Sequence, residues 1–366
     1  MWQSPGSLGA GTDEATVRED DMRSPRLVAL LLAIVAVAAG AYFAVGASGH
    51  ATIDAVDFGV TPWKTTPAYD PVVPPLSPAR IKDFTIPITH GPIQIADGKT
   101  YEGWMFGGTV PGPVLHVRQG DLVRIHVVNR SPMPHSIDFH AARIPMSEAF
   151  AMILPGQEHS FEFTARDPGV FMVHCGTPPV TAHIMNGMYF PIIVDPAEGW
   201  GSKVDKEFVV VQSEFYATPD SSAKPDSNGL PLRMDLQAAS DKRPTYVVFN
   251  GRAFQYRSSP LQVNEGDRVR FYVVNAGPNF DSDFHIVGTI FDRVYPDGHP
   301  EHALEGVQTY PVPAGGGVVF ETSFLKGQSG AGTYAFVTHS FADAEKGAIG
   351  LIKVGSGSAA VAATGH

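Results

Sequence analysis

Four side chains have the types and spacing of a metal site: His135, then Cys175, His183 and Met188 in the run HCGTPPVTAHIMNGM. Two neutral imidazoles, one thiolate and a weak thioether are the donor set of a blue, type 1 copper centre. The pattern is Cys-x7-His-x4-Met with a distant upstream histidine. Cys175 is the single cysteine of the chain, so no disulfide can form within it. A lone buried thiol is often inert, but that reading leaves the other three positions unexplained. Met185 lies two residues after His183 and competes for the axial role; a glycine turn just before Met188 favours the latter.

Two more histidines share these segments. His140 follows His135 by five residues, and His174 directly precedes Cys175. Odd separations along an extended strand place side chains on opposite faces. Each segment therefore gives one ligand to the thiolate metal and offers one imidazole to the other face. A second metal there would be joined to the first through the His174–Cys175 backbone. Two imidazoles hold copper loosely; His339 and His285 are candidates for a third. Asp138, three residues after one ligand and two before the other, is placed to pass a proton to a small bound molecule.

Strands must position these groups. Short Val/Ile/Phe runs alternate with turns along the chain, and Gly and Pro number 38 and 31. An internal repeat organises them: VRQGDLVRIHVVN (117–129) matches VNEGDRVRFYVVN (263–275), each followed by Asp-Phe-His, at 138–140 and 283–285. GVFMVH, ending at His174, resembles GTYAFVTH, ending at His339. By this repeat His285 is the counterpart of His140. The expected fold is all-β, two tandem cupredoxin-like Greek-key sandwiches over 80–200 and 201–355, with a tail over 356–366.

The N-terminal part reads differently. Residues 1–26 form a polar tail. Residues 27–46 contain LVALLLAIVAVAAGAYFAV, uncharged and long enough to span a bilayer. Arg23 and Arg26 precede it, which predicts a cytoplasmic N-terminus and an exported body, in the periplasm or at the cell surface. Uncleaved anchor and signal peptide both fit. Residues 47–79 are Pro-rich and read as a tether, or as an extended arm packed along the body. Net charge is −11 with no basic run, which argues against a nucleic-acid partner.

Over Phe84 to Val354 the pattern resembles the copper-containing, nitric-oxide-forming nitrite reductases. The resemblance implies one type 1 copper per subunit on His135, Cys175, His183 and Met188. It also implies one type 2 copper on His140, His174 and a His339 supplied by a neighbouring subunit of a homotrimer. It implies Asp138 and His285 as the catalytic pair, and Val287 where an isoleucine usually shapes the substrate pocket. Nitrite would be the substrate, with a small cupredoxin or c-type cytochrome as electron donor. Two features depart from the best-known denitrifier enzymes: the Cys175–His183 loop is one residue shorter, and the membrane segment is atypical.

Other functions fit less well. A laccase-type three-copper cluster needs His-x-His pairs and a His-Cys-His; the chain has no His-x-His, and Gly176 follows Cys175. A pure electron-transfer or storage protein would leave His140, His174, His339, Asp138 and His285 unexplained. A different small substrate, such as hydroxylamine or dioxygen, would use the same second site. His299 and His302 could form an adventitious metal pair. His126 and His159 read as packing or surface residues.

Overall fold

The structure is a computed structural model, and it describes residues 68–355. The polar tail, the apolar segment 27–46, the first part of the Pro-rich stretch and the C-terminal tail lie outside the described residues. Among the described residues no helix is long and apolar enough to cross a membrane.

The first half contributes β1 (Ile81–Ala96), β2 (Lys99–Phe106), β3 (Leu115–Arg118), β4 (Leu122–Asn129), β5 (Asp138–Phe139), β6 (Glu158–Thr164), β7 (Gly169–His174) and β8 (Tyr189–Asp195). The second half begins with β9 (Lys206–Phe215), β10 (Ala217–Pro219), β11 (Leu232–Met234), β12 (Tyr246–Phe249), β13 (Leu261–Asn264) and β14 (Arg268–Asn275). It continues with β15 (Ser282–Val287), β16 (Phe291–Pro296), β17 (Leu304–Val307), β18 (Thr309–Val312), β19 (Gly317–Ser323), β20 (Gly332–Thr338) and β21 (Ile349–Gly355).

These strands form four sheets. β10-β11-β2-β1-β4-β6 faces β3-β8-β7-β5, and β12-β9-β14-β19-β16-β17 faces β13-β21-β20-β15-β18. The all-β expectation holds. β10 and β11, which follow the second half's first strand, return to the first half's sheet, where Leu232 pairs with Tyr101.

Three apolar layers hold the sheets together. Ile86 of β1, Ile125 of β4, Val173 of β7 and Ile192 of β8 fill the first sandwich, with Cys175 and Met188 among them. Phe271, Phe284, Phe320 and Phe336 fill the second. Between the sandwiches lies a third layer, in which Val170, Met172 and Ile193 meet Val211, Tyr272 and Val274. This layer explains a difference between the repeats. β4 alternates between buried and open positions, whereas β14 is buried on both faces from Val269 to Asn275. Its odd and even residues serve two different cores, so Phe271 to Val274 reads as a continuous apolar run. Each fully buried Val or Phe in such a layer contributes about 1.5–3 kcal/mol.

The described end of the Pro-rich stretch is a packed arm. Val72 bridges to Phe208, Val73 N donates to Glu207 O at 3.2 Å, and Val209 N donates to Pro71 O at 2.7 Å. Gln255 Oε1 accepts from Tyr69 N, and His116 Nδ1 lies 2.7 Å from Pro74 O. For residues 68–74 the packed-arm alternative is therefore the one observed.

Candidate metal centres

Among the described residues two groups of three potential ligands gather: His135, Cys175 and His183, and Asp138, His140 and His174. They lie on opposite sides of one short stretch of chain. β5 pairs with β7 so that Asp138 stands opposite His174. His135, just upstream of β5, is held by a bridge to Ile153.

The first group is fully buried. Cys175 Sγ is 3.2 Å from His183 Nδ1 and 3.8 Å from His135 Nδ1, and the two Nδ1 atoms are 3.1 Å apart. Both imidazoles thus converge on the thiol through the same nitrogen. Burial, then the neighbouring imidazoles, pulls His135 down to about 3; burial, then His90, pulls His183 down to about 4. Both rings are neutral at physiological pH, as metal ligands must be. Ser136 N donates to Cys175 Sγ at 3.4 Å, and Ser136 Oγ accepts from Gly176 N and Thr177 Oγ1. That hydroxyl ties the loop after the cysteine to the loop after His135.

His183 sits on a short helix, Val180–Met185, rather than in an open loop. The helix carries His183 inward, and a tight turn then returns the chain. Gly187 takes φ +107°, and a Cβ there would meet Val110 at 2.4 Å. Met188 N donates back to His183 O, and Cys175 N donates to Met188 O at 3.2 Å. The two methionines go different ways: Met188 is buried in the core that holds Cys175, while Met185 packs with Tyr216 and Ala239. Gly176 has a steric role as well, since a Cβ there would meet the Phe150 ring at 2.2 Å.

The second group is more open. His174 Nε2 is 3.1 Å from His140 Nε2, and Asp138 Oδ2 is 3.5 Å and 3.8 Å from those two atoms. Each ring is turned by its other nitrogen: His174 Nδ1 lies 3.0 Å from Cys175 O, and His140 Nδ1 lies 3.0 Å from Gly315 O. A ligand histidine commonly donates its second N–H to a carbonyl, which fixes the tautomer. Burial, partly offset by the Cys175 carbonyl, lowers the His174 pKa.

His285 and His339 form a separate pair, with ring centroids 5.4 Å apart. His285 Nδ1 is 2.6 Å from Gln308 O and 3.3 Å from Thr309 Oγ1, so both contacts fall on one ring nitrogen. His339 is exposed, and its backbone N donates to Asp283 O. Neither joins the Asp138 group within one chain. Val287, on the same strand as His285, is 43% exposed. His299 and His302 stack at 4.7 Å, with no third ligand beside them among the described residues.

Two residues at the first group were not singled out from sequence. Trp104 stands edge-on to His183 at 5.0 Å and to His135 at 5.9 Å. His90 lies flat on Trp104 and touches His135. Both come from the β1–β2 hairpin, whose sequence carries no ligand spacing.

The multicopper oxidase family profile matches residues 87–199. The copper-containing nitrite reductase of Neisseria gonorrhoeae is 40% identical over 296 residues, covering 78% of this chain and 72% of that protein. The chain belongs to the copper-containing nitrite reductase family. Among solved structures, the copper nitrite reductase from Nitrosomonas europaea matches at TM-score 0.67 and 37% identity, over 75% of this chain and 94% of that one. The Cu-containing nitrite reductase from Thermus scotoductus SA-01 matches at TM-score 0.66 and 33% identity, over 75% of this chain and 62% of that one. The sheets are thus cupredoxin-like, as the repeat predicted. The donor chemistry fits the family's metal: two buried neutral imidazoles with a thiol suit copper, and imidazole pairs beside a carboxylate suit it too.

Proposed function

We propose that this chain reduces nitrite to nitric oxide and water, taking up one electron and two protons per turnover. The observation that carries the reading is the back-to-back placement of the two ligand groups, joined by the single peptide link between His174 and Cys175. His135, Cys175, His183 and Met188 would hold a type 1 copper. His140 and His174, with His339 from a neighbouring subunit, would hold a type 2 copper. Copper supplies one-electron storage at the thiolate site, and Lewis-acid binding of a small anion with one-electron reduction at the imidazole site.

The chain's own groups do the rest. Burial of Cys175 and its ligands keeps water from the thiolate. Asp138 Oδ2, beside both Nε2 atoms, is set to hydrogen-bond nitrite and pass it a proton. His285 presents Nε2 while Gln308 O holds its Nδ1 side, so it can carry the second proton. Val287 would border the substrate space.

The separation of the two histidine pairs in one chain supports a homotrimer in which each complete site spans two subunits. Exposed apolar side chains lie beside the second pair: Val287 on the strand of His285, and Phe341 with its ring 4.9 Å from that of His339. The domain limits 80–200 and 201–355, a membrane anchor at 27–46, an extracytoplasmic location and a small donor protein complete the proposal. The two sandwich cores support the domain limits, and the apolar N-terminal run after Arg23 and Arg26 supports the anchor and the exported body.

The deciding assay is nitric oxide release from nitrite by copper-loaded protein with a reduced donor. Two coppers per chain with steady turnover are expected. Full copper loading without turnover would put an electron-transfer role first.

A further inference from the structure

His90 is on β1, in register with Trp104 of β2. Its ring lies on the indole at 5.0 Å between centroids and 7° between planes. Its Nε2 is 2.9 Å from His135 Nε2. The other nitrogen of His135, Nδ1, is the one that faces Cys175 and His183. The two nitrogens of an imidazole point apart, so His90 stands behind His135 and outside the donor group.

This geometry fixes where the protons go. To offer a lone pair at Nδ1, neutral His135 must carry its proton on Nε2. That N–H is fully buried. Its partner is His90 Nε2, which must therefore accept, with its own proton on Nδ1. Stacking on Trp104 fixes the plane of the accepting ring, and Trp104 in turn stands edge-on to both ligand imidazoles.

We infer that His90 is a positioning residue for the thiolate metal site, accepting the His135 Nε2 proton and so setting that ligand's tautomer, orientation and donor strength. The inference rests on the copper reading of the Cys175 group. An acceptor behind a ligand histidine raises its basicity and favours the more highly charged metal. His90 thereby lowers the reduction potential of the site that receives the electron.

Two variants and one wild-type measurement test it, all on the copper-loaded full chain. H90F keeps a ring on Trp104 and removes the acceptor; H90Q places a side-chain carbonyl near the position of Nε2. H90F is expected to favour the reduced form about tenfold, an upward shift of about 59 mV in a one-electron couple. It should also move the thiolate-to-copper absorption band. H90Q should recover most of the shift, which loss of packing alone would not predict. In reduced, diamagnetic wild type, nitrogen NMR should find a slowly exchanging proton on His135 Nε2 with coupling to His90 Nε2. An unmoved potential and band in H90F, an H90Q that behaves like H90F, or a proton on His135 Nδ1 would each overturn the inference. A wild type with no thiolate band would remove the copper reading and this inference with it. A normal wild-type band with an unmoved H90F potential removes this inference alone.

Discussion

Asp138 and His174 face each other across β5 and β7, and Asp138 Oδ2 lies 3.5 Å from His174 Nε2. The pairing puts a carboxylate beside the imidazole whose backbone continues into Cys175. Asp138→Asn keeps the shape and removes the proton donor. Nitrite turnover should fall roughly 10²- to 10⁴-fold, the usual worth of a positioned acid or base. Copper content and the thiolate band should stay as in wild type. Loss of the second copper in this variant would instead make Asp138 a ligand.

The proposed sharing of sites between subunits makes a quantitative prediction about mixed assemblies. His140→Ala and His339→Ala should each be nearly inactive alone. Co-expressed, they should regain about a quarter of wild-type activity, because random neighbours pair the two intact halves at that frequency in a closed ring. No recovery in verified mixed trimers would place His339 outside the site.

The two methionines near His183 can be separated by spectroscopy. Met188 shares the core of Cys175, and Met185 packs elsewhere. Met188→Leu conserves volume and removes the thioether, so the midpoint potential should rise by about 59 mV or more, a decade in the one-electron preference. Met185→Leu should leave it in place. The reverse pattern would exchange their roles.

A pH dependence of stability should arise far from the metal groups. His116 Nε2 is 3.0 Å from Asp195 Oδ2, while His116 Nδ1 meets Pro74 O. Burial alone would lower the His116 pKa, but the hydrogen bond and charge of Asp195 raise it overall; burial would raise Asp195, yet His116 holds it low. The imidazolium contribution is complete below the unfolded histidine value of about 6.5 and fades as pH rises through the raised folded value. The carboxylate contribution is present above the unfolded value of about 3.9 and fades as pH falls through the lowered folded value. The wild-type advantage in Tm over His116→Gln should therefore be largest near pH 5–6 and shrink toward alkaline pH. A pH-independent difference would show that the pair is not ionic.

The candidate metal-binding residues and their division into two groups can be read directly from the residues. Cys175-x7-His183-x4-Met188, the adjacency of His174 and Cys175, and the repeated Asp-Phe-His were legible because strand period and loop length are local properties. The doubled strand pattern also announced two sandwiches. The remaining features belong to the folded chain. Folding chose the packed arm for residues 68–74, returned β11 to β2, and filled the space beside Gly176 with Phe150. It turned His174 and His140 through the carbonyls of Cys175 and Gly315. It also brought His90 against His135 across 45 residues of chain. Such contacts join segments that no period relates; they follow from how two sheets close on one core, and a histidine in a strand carries no mark of what will lie behind it.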